Sequence, residues 1–143
     1  MTLPLADTGL YRGRSKRKLY VTTAVVRSCG YDWPIGFETD LVSAPDWMPG
    51  WLRKVMQFDR AARAAIGHDG LMNLMRQISR WKANRLFRKQ MAKDGVWFPQ
   101  RWIMWCWVSR PGAPRVNWPQ PNLQGTPRPV GSQDFVTADG GVA

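Results

Sequence analysis

Histidine occurs once in this chain, cysteine twice, and acidic residues ten times against 21 lysines and arginines. A single histidine excludes a multi-histidine metal centre. Cys29 and Cys106 form no CxxC pair and no Cys/His cluster, which excludes a structural zinc site, and two cysteines do not make a disulfide framework. Both read as reduced packing residues of a protein made in a cytoplasm. Long hydrophobic runs are also missing. The longest, around Trp102–Val108, is far too short to span a bilayer, and MTLPLADTGLYRGRSKRK holds no apolar core of the length a signal peptide needs. No transmembrane segment is expected. The shortage of carboxylates leaves a formal net charge of +11. It is uneven: +3 over residues 1–58, +7 over 59–108 and +1 over 109–143. Such a surface suits anionic partners (nucleic acid, lipid headgroups or acidic protein), and it equally suits a solvated helix face.

What is present is apolar material of ordinary amount, 44%, enriched in nine Trp and seven Met. Residues 1–18 read as a basic N-terminal arm ending in Arg12, Arg14, Lys16, Arg17 and Lys18. Leu19–Val26 is rich in β-branched residues and predicts a strand; after the break at Gly30, Trp33–Phe37 predicts a shorter one, and the two make a hairpin. Thr39 to Pro45 predicts a loop, and 46–56 a short helix interrupted by Pro49 and Gly50. The clearest helix is 60–77, with Asp59 as its N-cap and Ala61, Ala64, Ala65, His68, Leu71, Met72 and Met75 on one face. Ser79 caps a second helix, 80–93, which Gly95 ends; its stripe is Ala83, Phe87 and Met91, with Asn84 alongside. Pro99 opens a third helix through Trp102, Met104, Trp105 and Val108; the cluster Trp102, Trp105 and Trp107 could form a docking surface, and the helical spacing of Trp102 and Trp105 favours core.

The fold class expected is α+β, mainly α: an antiparallel helix pair plus a third helix, a small N-terminal β-hairpin and an extended C-terminal tail. The domain organisation expected is an arm (1–18), a single globular domain (19–108) and a Pro/Gly-rich extended tail (109–143) with six Pro and five Gly. Such a tail orders only where the domain itself or a neighbouring chain holds it.

His68 lies on the apolar stripe of the main helix, and a buried imidazole needs a hydrogen-bond partner. Antiparallel pairing puts Asn84 within reach, about 6 Å different in height at ~1.5 Å per residue. A His68–Asn84 hydrogen bond is therefore expected. Asp40 and Asp69 together could offer oxygen ligands to a hard cation, while the reading of Asp40 and Ser43 as caps of the turn and the following helix is the favoured one.

The segments Gly36-Phe37-Glu38-Thr39-Asp40-Leu41-Val42-Ser43-Ala44-Pro45, Ala65-Ile66-Gly67-His68-Asp69 and Ala83-Asn84-Arg85-Leu86-Phe87 resemble domain-of-unknown-function family 1353, which occurs mainly in tailed phages and prophages. The resemblance covers about residues 31–108 and rests on a TD-x-x-S-x-P loop, an HD helix and an AD-x-x-F helix. It makes Thr39, Ser43 and Pro45 structural loop residues. The HD helix facing an AD-x-x-F helix is also similar to secretory and parvoviral phospholipases. That similarity implies His68 as a general base activating water, Asp69 as a calcium ligand and residue 84 as the orienter of the ring. Asn84 stands where the pattern has Asp, and Met72 where it has an aromatic residue; the glycine-rich calcium loop is absent.

The resemblance implies a structural component of a tailed-phage particle, of the tail or its tip, carrying a vestigial hydrolase-like site, made in the host cytoplasm and located in the virion. It would meet other virion proteins through the C-terminal tail, with homo-oligomers allowed. The alternative is an envelope-degrading hydrolase, acting on a lipid ester or a cell-wall bond, with His68 and Asn84 catalytic, Asp69 and Asp40 at a metal and calcium as its cofactor. A nucleic-acid-binding module ranks third, since no groove-reading or base-stacking signature accompanies the charge.

Overall fold

In the computed structural model, which describes residues 2–12, 17–41, 48–56, 58–113 and 118–131, short strands dominate the first third and helices the rest. Chain order is β1 (Leu5–Arg12), β2 (Arg17–Thr22), β3 (Val26–Ser28), β4 (Tyr31–Trp33), β5 (Glu38–Thr39), α1 (Gly50–Val55), α2 (Phe58–Asn73), α3 (Arg80–Lys93), α4 (Phe98–Ser109) and β6 (Arg128–Pro129). The strands form two antiparallel three-stranded sheets, ordered β1-β2-β5 and β3-β4-β6.

This corrects the expected fold class. The protein is not mainly α with one hairpin: it has four helices and two small sheets. Residues 5–12, expected within the arm, are strand β1, paired with β2 through a register shift between Asp7 and Tyr11. That strand shows no in–out alternation, so its sequence lacks the period that marks a half-buried strand. The expected strand Leu19–Val26 is two strands, because the chain turns at 23–25 and moves from one sheet to the other. Of Trp33–Phe37 only Trp33 is in a strand.

The β3–β4 hairpin docks the second sheet on the helices. Cys29 (φ 54°) and Gly30 (φ 83°) form its two-residue turn between Ser28 and Tyr31, both residues left-handed, the backbone twist that two-residue hairpins prefer. The turn is fastened to two helices. Ser28 Oγ donates to Arg63 O (2.7 Å), and Cys29 N donates to Gln90 Oε1 (3.0 Å). Glycines let α2 come this close. A Cβ on Gly70 would collide with the Trp33 ring, and one on Gly67 with Ser28 and Cys29. One core cluster gathers Trp33, Phe37, Ile66, Leu71 and Ala83; the other joins Met48, Met56, Ala61, Ala64, Phe87 and Met91.

Helix α3 follows its sequence signals. Ser79 Oγ accepts from Lys82 N (3.2 Å), and Gly95 (φ 71°) ends it with Val96 N bonded to Met91 O (3.0 Å). Helix α2 begins earlier than expected, so Asp59 sits inside its first turn rather than at its cap, and it stops at Asn73 rather than 77. Helix α4 departs most. Only Gln100 and Met104 are buried, so the tryptophans expected as core stand at least partly in solvent, as does Cys106.

The C-terminal segment 118–131 lies on its own domain. Asn73 Nδ2 donates to Trp118 O (3.0 Å) and Trp118 N donates back to Asn73 Oδ1 (2.8 Å). Gln120 pairs reciprocally with the Glu38 backbone, and β6 adds to β4 at Tyr31 and Asp32. The domain itself holds this part of the tail. Among the described residues no helix is long and apolar enough to cross a membrane.

Candidate functional site

His68 and Asp69 occupy the middle of α2, Asn84 the first turns of α3, Thr39 the end of β5 and Asp40 the residue after it. The α2–α3 pairing brings His68 Nε2 to 2.8 Å from Asn84 Oδ1, the contact expected from helix spacing. The Phe87 ring lies against the imidazole, with centroids 4.8 Å apart.

The orientation of the Asn84 amide fixes the histidine tautomer. Asn84 Nδ2 donates to Val108 O (3.4 Å) and to Ser109 Oγ (3.1 Å) at the end of α4. A carbonyl only accepts, so the amino group faces Val108 and the amide oxygen faces the ring. Nε2 must then carry the proton, and the Nδ1 lone pair is left over. Nδ1 makes no hydrogen bond among the described residues. Burial lowers the His68 pKa below its ordinary 6.5; the Asn84 bond opposes this, and the charge of Arg80 adds a little to it. The ring is therefore neutral at neutral pH. Arg80 is itself anchored, donating to Ala113 O (2.6 Å) and Arg110 O (2.6 Å).

On the loop side, Thr39 Oγ1 donates to Asp69 Oδ2 (2.6 Å) and accepts from Leu41 N (3.0 Å). Leu41 has φ 55°, a left-handed conformation that costs a bulky side chain on the order of 1–3 kcal/mol. The Thr39 hydroxyl thus ties a strained turn to the HD helix. Asp40 Oδ2 pairs with Arg17 Nη1 at 3.4 Å.

Each of these two carboxylates already has a partner. Asp69 receives a hydroxyl and Asp40 a guanidinium, and among the described residues no group of three or more His, Cys, Asp or Glu side chains is arranged to hold a metal ion. Hard cations need six or more oxygens, mostly uncommitted. Ser43 and Pro45 lie outside the described residues.

His68, Asp69 and Asp40 line a cavity of about 660 Å³ whose other walls are mostly apolar, among them Met48, Met56, Met72, Phe87, Trp102 and Val108. Arg17 and Arg110 are the cations among the residues lining it. A volume of this size takes a small organic ligand or part of an acyl chain. Sequence reasoning placed Thr39 only as a loop residue and missed its bond to Asp69. It also missed the role of Val108 and Ser109 in aiming Asn84. Neither signal is local: both depend on how α4 and β5 pack on the helix pair.

A family model described as "Protein of unknown function (DUF1353)" matches residues 20–108. No curated protein and no solved structure matches the chain.

Proposed function

The chain belongs to the DUF1353 family, and from that premise we propose that its His68 pocket hydrolyses an acyl ester of the cell envelope. One observation carries the reading: Asn84 Oδ1 accepts from Nε2, so a neutral imidazole keeps its Nδ1 lone pair, and His68 lines a largely apolar cavity. In the reaction Nδ1 takes a proton from water, and the hydroxide adds to the ester carbonyl. The tetrahedral intermediate then collapses, its alcohol leaving group taking the proton back from Nδ1. The products are an alcohol and a carboxylic acid, which releases its proton to solvent as the carboxylate, and the neutral histidine is regenerated. Asn84 holds the ring and its tautomer. Arg17 and Arg110 supply positive charge near the oxyanion, and the apolar walls receive the acyl chain. No step runs through calcium.

The test is turnover of a short-chain nitrophenyl ester and of phospholipid vesicles, with chelator present throughout. His68→Ala is expected to lose about 10²-fold or more in kcat, the usual contribution of a positioned base, when assayed at a temperature where both proteins are folded. Equal rates for the two proteins remove the proposal.

A second reading keeps the chain as a structural component of a tailed-phage particle, located in the virion. The exposed aromatics Trp51, Trp81, Trp97 and Phe98 favour it, since large apolar side chains in solvent are what an assembly covers. The tail segment does not argue for it, because residues 118–131 are already seated on their own domain. Detection of the chain in purified particles, at fixed copy number, is the outcome this reading requires.

A further inference from the structure

Helices α3 and α4 present a continuous aromatic and cationic face. On α3, Trp81, Arg85 and Arg88 follow one another at four and three residues, so they share a stripe. On α4, Phe98, Arg101, Trp102 and Trp105 do the same. The two stripes are joined. Arg85 lies over the Trp81 ring at 5.4 Å, while Arg88 lies over both Trp102 (4.6 Å) and Trp105 (5.1 Å) on the neighbouring helix. Arg101 stands over Phe98 (5.3 Å), and Phe98 touches Trp102 edge to face at 6.1 Å. Trp81 is 66% exposed, Phe98 59% and Trp102 39%.

The charge is one-sided. Residues 80–110 hold eight lysines and arginines and one carboxylate, Asp94. Asp94 is buried and paired with Arg63 rather than facing solvent. The cavity begins where the face ends: Trp102, Ile103, Trp107 and Arg110 all line it.

From this we propose that the α3–α4 face docks on an anionic lipid bilayer surface, with the His68 cavity opening towards the lipid. Indole rings settle at the headgroup level, where one edge is apolar and the other wet, and cations beside them meet the negative surface potential. A basic face built only for phosphates has no use for Phe98 and Ile103 in solvent. Both sit comfortably at an acyl–headgroup boundary, the environment in which an amphipathic face buries its apolar side by a few ångströms. The proposal rests on the hydrolase reading for its purpose but not for its measurement.

The experiment is co-sedimentation of the full chain with vesicles of phosphatidylcholine alone and of equal parts phosphatidylcholine and phosphatidylglycerol, read together with tryptophan emission. Binding is expected only to the anionic vesicles, with a blue shift and a decline as salt rises. Arg85→Glu exchanges one cation for an anion at an exposed position. At ~1 kcal/mol per charge at the surface it is expected to weaken partition roughly 30-fold, while leaving turnover of a soluble ester unchanged. Trp81→Ala and Phe98→Ala are expected to abolish the blue shift together. Equal binding to neutral and anionic vesicles overturns the proposal. So does tighter binding to duplex DNA than to anionic vesicles, or a stable self-association that hides the face. Vesicle binding by both wild type and His68→Ala without turnover sinks the hydrolase reading alone, and turnover of a soluble ester without vesicle binding sinks the docking surface alone.

Discussion

The proposed hydrolysis turns on Asn84, whose neighbours decide what it does. In serine proteases an asparagine in place of the orienting aspartate costs about 10⁴ in kcat because it selects the wrong histidine tautomer. Here Val108 O and Ser109 Oγ occupy the amino group, so the oxygen faces His68 and holds the proton on Nε2, the tautomer the proposed hydrolysis requires. What an amide lacks is charge to stabilise the imidazolium. Asn84→Asp is therefore expected to raise kcat by roughly 10- to 100-fold and to lift the His68 pKa, as an opposite charge in contact does. Since the chain has one histidine, ¹⁵N spectroscopy reads both tautomer and titration without assignment. A spectrum showing Nδ1 protonated in the native chain would contradict the arrangement. The same pKa sets a stability slope. The native ring titrates below 6.5 and the unfolded ring near 6.5, so in that interval the unfolded chain binds more protons. His68's share of stability is intact above pH 6.5, declines as pH falls through the interval, and levels off below the native pKa. Urea titrations of wild type and His68→Gln across pH 5 to 7 are expected to diverge in that direction, the variant being the flatter.

At the scale of elements, α2 is held where it is by what it omits. Gly70 lies against Trp33 with no room for a methyl group, and Trp33 is fully buried with its Nε1 donating to Ser28 O (3.0 Å). Gly70→Ala would favour the isolated helix by about 1 kcal/mol, yet overpacking a well-filled site costs about 1–3 kcal/mol or more. The packing cost wins, and a lower melting temperature is expected. Ser79→Ala is expected to cost about 1 kcal/mol through the lost cap on α3. Helix α3 was legible in the sequence because all its signals are local: a cap, a stripe and a terminal glycine. So was the His68–Asn84 contact, which follows from helix period and a short link. β1 and β6 were not legible. Each is a strand only because a distant partner pairs with it, and β6 places Pro129 opposite Tyr31, where a proline tolerates only an edge position. The tryptophans of α4 misled for the opposite reason. Trp102 and Trp105 have the spacing of a buried face, and spacing alone does not distinguish a stripe facing core from one facing a cavity mouth and solvent.

At the scale of the molecule, the segment 118–131 acts as a strap joining α2, β4 and β5. Asn73 exchanges two hydrogen bonds with the Trp118 backbone, Gln120 exchanges two with the Glu38 backbone, and Asn122 Nδ2 donates to Glu38 Oε1 (3.0 Å). Further along, Gln124 N donates to Ile35 O (2.8 Å) and Val130 N to Gly30 O (2.9 Å). The family match ends at residue 108, before the strap begins. The strap nevertheless bears on the site, because Trp118 forms part of the cavity wall. Asn73→Ala removes its two bonds to the Trp118 backbone at once, a local loss of about 2 kcal/mol at ~1 kcal/mol per bond. Limited proteolysis is expected to leave 118–131 intact in wild type and to cut within it in the variant, while the melting temperature of the helical core falls only slightly. Affinity for an apolar fluorescent probe is expected to fall in step with strap release, since one wall of the cavity leaves with Trp118. Light scattering gives the complementary reading: wild type is expected to remain protected at dilutions where it is monomeric. Protection that disappears on dilution would mean that a second copy, and not the Asn73–Trp118 pair, holds the strap.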